Sequence, residues 1–340
     1  MIYDGGADDW SAEDIQSVLE PVTEVSRALV AAGHDVEQVG VLPDLAWFDA
    51  IRGADLIFNL CEGIGGISHL EYKVASAIEL AGKPYTGCSA WTMTVCHRKP
   101  LLNAVLQAAG LPIPRWHVPH DQTVPETFPL PAIVKPAEED ASVGIEQASV
   151  ATTRAELEER VASMARSYGG IMVQEYIHGR ELAVAFVGDH ILPLSEIDFG
   201  AMPDGAWPIV SFDAKWKPGC DEYVGTLPVC PAKVTAPLEE SLRHVARAAW
   251  RTVHGRGYGR VDMRVDPDGQ PWVLEVNPSP DISSDAGLVN MARAFGWSYD
   301  DLVSHIVDAA LAHAAVGAAP QIAVLRHDGQ ALRSGEHQPA

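Results

Sequence analysis

The chain's most chemical stretch pairs Arg260-Val-Asp262 with Leu274-Glu275-Val-Asn277-Pro278, two runs that read as strands joined by the turn Pro267-Asp268-Gly269. That hairpin brings Asp262, Glu275 and Asn277 to one place. All three offer hard oxygen donors, a set suited to Mg2+ held between protein and nucleotide phosphates, because Mg2+ prefers oxygen and shares itself with phosphate. Arg260 stands two residues before Asp262 and so points to the same face of its strand. A cation beside the metal can hold charge that develops during phosphoryl transfer. An ordinary acidic hairpin is the alternative reading of the same letters.

Upstream, Pro131-Ala-Ile-Val-Lys135-Pro136 is a short apolar run that delivers one lysine into the small-residue loop 137–145. Lys135 and exposed backbone N–H groups there make a plausible phosphate grip. Further on, Ile171 to Ile177 runs into His178-Gly179-Arg180-Glu181 and then the strand Leu182 to Val187. Such a strand-turn-strand can read adenine through its backbone while a carboxylate takes the ribose hydroxyls.

With these segments in view, the chain resembles the ATP-grasp enzymes, and among them the D-alanine–D-alanine ligase family. The resemblance covers about Ile57 to Ala312. It rests on Phe58-Asn59-Leu-Cys-Glu-Gly63, Pro84-Tyr-Thr-Gly87, Lys99, Val134-Lys135-Pro136, Glu175-Tyr-Ile-His-Gly-Arg-Glu181, Gly257-Tyr-Gly-Arg260-Val-Asp262 and Leu274-Glu275-Val-Asn277-Pro278. Each is weak alone, but all occur in the family's order at compatible spacings. The resemblance implies an α/β ATP-grasp fold with ATP between two antiparallel sheets. It implies a Rossmann-like N-terminal parallel-sheet domain over 1–92, a central lid over 93–178 and a C-terminal α+β subdomain with the Mg site over 179–316.

The same resemblance assigns roles. Lys99 and Lys135 contact ATP phosphates, with Ser142 in the covering loop. Gln174, Glu175, Tyr176 and Ile177 line the adenine, and Glu181 binds the ribose. Asp262, Glu275 and Asn277 hold Mg2+, with Mn2+ as an alternative. Arg260 faces the reacting acyl phosphate, and Lys215 lies on a loop closing over the phosphates. The implied chemistry is ATP-dependent and ADP-forming: a carboxylate takes the γ-phosphoryl group, then an amine displaces phosphate to give an amide. Positioning and positive charge do the work rather than a covalent nucleophile. Ser11-Ala-Glu13 matches the family's substrate-binding Ser-Ala-Glu, where Glu13 meets the substrate ammonium; a plain helix cap explains the same letters.

Three departures touch the substrates. Glu138-Glu-Asp-Ala141-Ser142 stands where the family has Arg, Gly and paired serines, and Ala141 replaces the first serine, which helps lock the loop. Glu62 takes the place of a histidine that helps receive the first D-alanine. Pro280-Asp281-Ile-Ser283 replaces Pro-Gly-Met-Thr, and the serine that binds the second amino acid's carboxylate falls at Ala286. Glu62, Asp281 and Ser283 therefore become the expected substrate residues. The amine substrate is expected not to be D-alanine, and to carry an extra cation or lack a free carboxylate. A genuine D-alanine–D-alanine ligase and a catalytically silent ATP-binding protein stay open as alternatives.

Composition agrees with an enzyme of this kind. At 340 residues with 47% hydrophobic content the chain can bury real cores. Its formal charge of −22 argues against a nucleic-acid partner, since phosphate backbones attract basic surfaces. No run approaches a membrane span and no signal pattern opens the chain, so the cytoplasm is the expected location. Five cysteines without a Cys-x-x-Cys pair read as reduced, mostly buried thiols. The family's frequent dimers leave a homodimer open.

The positioning elements follow from periodicity. Apolar residues Ile15, Val18, Leu19, Val22, Val25 and Leu29 predict a helix from Asp14 to Ala32, capped by Ser11 and ended by Gly33. Strands are expected at Val36–Val39 and Leu56–Asn59. Further helices are expected at Leu70–Ala81, Lys99–Ala109, Ala155–Ser167, Leu238–Val253 and Leu302–Ala315. Met1-Ile-Tyr3 looks like the tail of a clipped first strand, so the native start is expected upstream. Residues 317–340 are expected to be a disordered tail.

Overall fold

A computed structural model describes residues 1–7 and 10–316, without the side chains of 12–14 and 316, and the backbone of 324–325 and 331–332. The Glu13 side chain and the expected disorder of the tail lie outside the described residues.

The first layer is a parallel sheet of β1 (Ile2–Asp4), β2 (Val39–Val41) and β3 (Asn59–Leu60), in the order β2-β1-β3. A parallel bridge between Ile57 and Tyr85 widens it. Helices α1 (Ala12–Ala31), α2 (Trp47–Arg52), α3 (Glu71–Ala81), α4 (Ala90–Cys96) and α5 (Lys99–Ala108) surround it. Helix α1 ends as its apolar period predicts: Gly33 takes φ +90°, and the amides of Gly33 and His34 bond back to Val30 and Leu29. Only a glycine enters that left-handed step without strain. The second strand lies three residues later than expected. Pairing with β1 starts at Ile2 opposite Val39, while Val36 packs on an apolar cluster instead.

The central layer is an antiparallel sheet of β4 (Trp116–His117), β5 (Ala132–Pro136), β6 (Val150–Ala151) and β7 (Ile171–Glu175), ordered β4-β7-β5-β6. Helix α6 (Arg154–Ser167) covers one face, its start fixed by a Thr153–Glu156 capping box. Ala132, Val134, Leu157, Val161, Met164, Ile171 and Val173 form the core between them.

The third layer is a larger sheet of β8 (Arg180–Val187), β9 (His190–Ile191), β10 (Ser195–Asp198), β11 (Leu227–Val229), β12 (Tyr258–Val265) and β13 (Pro271–Asn277). Its path is β11-β10-β8-β12-β13, all antiparallel, with β9 beside β8. Alternation along β8 and β12 splits the core. Leu182, Val184, Phe186, Val261, Met263 and Val265 face α9 (Ala236–Thr252) and the first layer. On the other face, Ala185, Val187 and Tyr258 pack with α10 (Gly287–Phe295), α11 (Tyr299–Val316) and α1. Short helices α7 (Phe212–Trp216) and α8 (Asp221–Val224) lie in the long β10–β11 connection. Helix α9 packs tightly enough that a Cβ at Gly259 would lie 2.2 Å from the Trp250 ring. Glycine next to Arg260 is therefore a packing requirement.

Helix α11 starts at Tyr299, earlier than its apolar period suggested. Ser298 and Asp301 cap it reciprocally, with the Asp301 amide on Ser298 Oγ at 3.1 Å and the Ser298 amide on Asp301 Oδ2 at 2.9 Å.

Candidate active site

The polar face of the large sheet carries the site. Antiparallel register places Asp262 opposite Glu275 and Arg260 opposite Asn277. A bulge follows, since Met263 pairs with Val273 and leaves Leu274 as the extra residue. Arg260 grips Asp262 at both oxygens, Nε to Oδ1 at 2.6 Å and Nη2 to Oδ2 at 2.9 Å. The Asp262 carboxylate holds the Arg260 pKa above its usual range. Asn277 Oδ1 accepts the Ser279 amide at 3.0 Å, which orients its side chain and leaves one lone pair.

Those donors suit Mg2+. Among the described residues no cluster of three or more His, Cys, Asp or Glu could hold a metal. Two carboxylates and an amide are an incomplete cage, as expected for Mg2+ that completes its sphere with water and phosphate.

Lys135 projects from β5 toward this face. Its Nζ donates to Gln174 Oε1 across the β5–β7 pair at 2.9 Å. Burial, and then the charge of Lys99, lower its pKa to about 8. Lys99 opens α5, its backbone amide on the Ala137 carbonyl at 2.9 Å and its Nζ on the Glu139 carbonyl. Both lysines thus border the 137–145 loop.

That loop is closed despite Ala141. Ser142 Oγ donates to the Val210 carbonyl at 2.8 Å, the Trp216 indole donates to the Ala141 carbonyl at 2.9 Å, and the Phe212 amide donates to the Ile145 carbonyl at 2.8 Å. Lys215 sits on short helix α7 rather than in irregular loop, with its Nζ 5.1 Å from the Trp216 ring centre. Of the loop acids, Glu138 turns outward to Arg98 at 3.4 Å.

The expected base-binding run is partly committed elsewhere. The amides of Glu175 and Tyr176 donate to the carbonyls of Arg115 at 2.8 Å and Pro131 at 2.9 Å. The Ile177 carbonyl accepts from Arg264 at 3.3 Å. The Glu175 and Tyr176 amides are thus bonded within the protein. Gln174 is fully buried, and its Nε2 has no partner.

Arg264 is the main residue the sequence reading missed. It is 3% exposed and holds Glu181 Oε2 from Nε at 3.1 Å and from Nη2 at 2.9 Å. It also donates to Tyr176 Oη at 3.1 Å and to the Pro208 carbonyl. Its guanidinium lies 5.2 Å from the Tyr176 ring centre. Glu181 thus keeps one oxygen clear of Arg264. The i, i+2, i+4 run Arg260, Asp262, Arg264 was the available signal.

Around Glu62 and Asp281, the residues expected to meet substrate, the charge is acidic. Glu62 opens to solvent yet is crowded by protein atoms, and burial, followed by Asp281 and Asp140, raises its pKa to about 7 against the opposing charge of Lys215. Asp281 Oδ1 accepts the Ser283 amide at 2.7 Å and Oγ at 2.6 Å, so Ser283 is tied to Asp281. A buried pair with no sequence signal lies beside it: Glu71 Oε2 is 3.3 Å from His97 Nε2, while Glu71 Oε1 lacks a partner. Burial raises the Glu71 pKa and lowers that of His97. Cys61 is buried, with Sγ on the Gly63 carbonyl at 2.8 Å, and burial raises its pKa, the behaviour of an inert thiol.

Comparison with known proteins agrees with this geometry. The family model described as the D-ala D-ala ligase C-terminus matches residues 105–308. The chain belongs to the D-alanine–D-alanine ligase family. A D-alanine–D-alanine ligase of Xanthomonas axonopodis pv. citri is 32% identical over 84% of this chain and 88% of its own length. An uncharacterized protein of Sinorhizobium fredii is 33% identical over 84% of this chain and 86% of its own length. The solved D-alanine–D-alanine ligase from Bacillus anthracis complexed with ATP superposes with a TM-score of 0.72 at 20% identity, covering 93% of this chain and 98% of that one. The fold is ATP-grasp, and this family member is a ligase forming carbon–nitrogen bonds. Among the described residues no helix is long and apolar enough to cross a membrane.

Proposed function

We propose that this ligase uses ATP and Mg2+ to join a carboxylate to an amine through an acyl phosphate, releasing ADP and phosphate, and that its substrates are not two D-alanines. The observation that carries this is the single sheet face holding Arg260, Asp262, Glu275 and Asn277 in register, with Lys135 nearby. Asp262, Glu275 and Asn277 would hold the metal, and when bound it would supply positive charge to the phosphates. Lys99 and Lys135 grip phosphates at the 137–145 loop, and Glu181 meets the ribose through the oxygen that Arg264 leaves clear. Arg260, locked by Asp262, presents fixed positive charge to the acyl phosphate. Lys215 approaches from α7 and, with the loop closed by Ser142 and Trp216, helps keep water from the reacting centre.

Glu62, Asp281 and Ser283 are assigned to the substrates because they ring the same end in an acidic setting. We place the domain limits near 92 and 178, in the cytoplasm, with a homodimer as the assembly to check. The test is phosphate release from Mg-ATP with paired D- and L-amino acids, amines and β-amino acids. Release only with pairs other than two D-alanines supports the reading. Release with D-alanine alone would make it a cell-wall precursor ligase, and ATP binding without turnover under every pairing would make it a silent binder.

A further inference from the structure

Beside the reacting face lies a cavity of about 530 Å³, bordered by Ser195, Cys230, Pro231, Gly287, Asn290 and Arg293. Its volume is within the usual range of small-molecule sites, ~300–1,000 Å³. Register connects it to the catalytic carboxylates. Ser195 pairs with Ala183, Ala183 with Asp262, and Asp262 with Glu275, so a row across four strands leads from the metal donors to the cavity wall. The intervening residue, Ala183, is small and leaves room above the sheet. At the other wall, a Cβ on Gly287 would lie 3.8 Å from Arg260 Nη1. The cavity therefore opens directly beside the residue proposed to face the acyl phosphate.

Gly287, Asn290 and Arg293 follow one face of α10 at three-residue spacing. From Gly287 to Arg293 the helix advances ~9 Å at 1.5 Å per residue. Arg293 is exposed and donates from Nη1 to Asn290 Oδ1 at 3.0 Å, which leaves most of its five N–H groups for an anion. An extended peptide covers ~3.3–3.6 Å per residue, so two to three residues span that wall.

We propose that this cavity is the acceptor site for a short peptide, whose N-terminal amine lies near Arg260 and whose C-terminal carboxylate meets Arg293. The proposal rests on the ligase reading above and names its amine substrate. A peptide amine stands next to an amide carbonyl rather than a carboxylate, so it has no use for a carboxylate anchor at the start of α10. Buried Ala286 occupies that position, and Ser283 is tied to Asp281. A peptide α-amine also titrates near ~7.7–8.0, so a good share is neutral and nucleophilic without a strong base. In the transfer the amine nitrogen bonds to the acyl carbon as the carbon–oxygen bond to phosphate breaks. Phosphate leaves with the electron pair, and the amine proton passes to solvent.

The experiment measures phosphate release from Mg-ATP by the full chain with alanine, dialanine and trialanine of both configurations, free or C-terminally amidated, against the carboxylate set above. The expected result is a KM for di- or tripeptide at least tenfold below that for alanine, and a two- to fivefold rise on amidation, the usual worth of an exposed ion pair. Arg293→Glu should erase the difference between free and amidated peptide while the KM for Mg-ATP stays put, and Arg293→Lys should restore part of it. Gly287→Leu should raise the peptide KM more than the alanine KM. Alanine used as well as peptides, indifference to amidation, or turnover confined to single amino acids overturns the peptide site and leaves the ligase standing. Absence of Mg-ATP binding overturns both.

Discussion

Asp262 and Glu275 occupy directly opposed positions on antiparallel neighbours β12 and β13, one residue before the bulge at Leu274. Asp262 is already neutralised at both oxygens by Arg260. Glu275 is therefore the carboxylate with more negative charge to offer a cation.

That asymmetry predicts unequal substitution effects at the metal site. Glu275→Gln should weaken Mg2+ dependence and lower kcat by at least about a hundredfold, while circular dichroism and the unfolding midpoint stay near wild type. The change is isosteric and removes no buried apolar contact. Unchanged activity at saturating Mg2+ would remove Glu275 from the metal set.

Lys135 gives the protein a pH-dependent grip on phosphate. Its pKa is lowered to about 8, by burial first and by Lys99 second. Below pH 8 the ammonium is present before ATP arrives. Above it, ATP must recapture a proton to bind a charged lysine, so affinity falls as pH rises, by up to about tenfold per unit. Calorimetry in buffers of different ionisation enthalpy should show uptake of about one proton per ATP at pH 9 and little at pH 7. Lys135→Gln should bind more weakly with a flat profile. A flat wild-type profile between pH 7 and 9 would mean that Lys135 does not meet the phosphates as a cation.

Arg264 ties the end of the central sheet to the large sheet. It holds Glu181 on β8, Tyr176 and Ile177 just after β7, and Pro208 in the long connection. Arg264→Met strands the partly buried Glu181 carboxylate and should cost about 3 kcal/mol or more in urea unfolding, the usual result of removing one partner of a buried pair. Adding Glu181→Gln should recover part of that loss, because the unpaired charge disappears with it. Equal stability of single and double variants would show that the pair is not coupled.

What the sequence made legible divides along physical lines. That Asp262 and Glu275 meet could be read because a tight turn and local alternation fix the face of each strand residue, and the helix end at Gly33 could be read because caps are local. The start of β2 could not, because its register is set by the distant β1. Glu71 and His97 meet only through the packing of α3 against α4, to which no short-range pattern points. The bond at Ala141 was out of reach for the same reason: its donor, Trp216, stands seventy-five positions on.

Asp281 should govern the amine rather than the nucleotide. Its Oδ1 fixes Ser283, and its charge helps keep Glu62 protonated up to about pH 7. Glu62 is also faced by Asp140, Asp4 and Lys215, so losing Asp281 removes one of several repulsions and moves its pKa down, not to an extreme. In the wild type, Glu62 ionises as pH rises through 7, and attraction for an ammonium group grows between pH 6 and 8. Asp281→Gly should move that improvement in amine KM to lower pH and change amine preference by about tenfold. The KM for ATP should stay within about twofold. Asp281→Asn retains an oxygen for the Ser283 bonds while losing the charge, so it should reproduce the pH shift without the loosened turn. An effect confined to the KM for ATP would place Asp281 with the phosphates and take it out of the amine pocket.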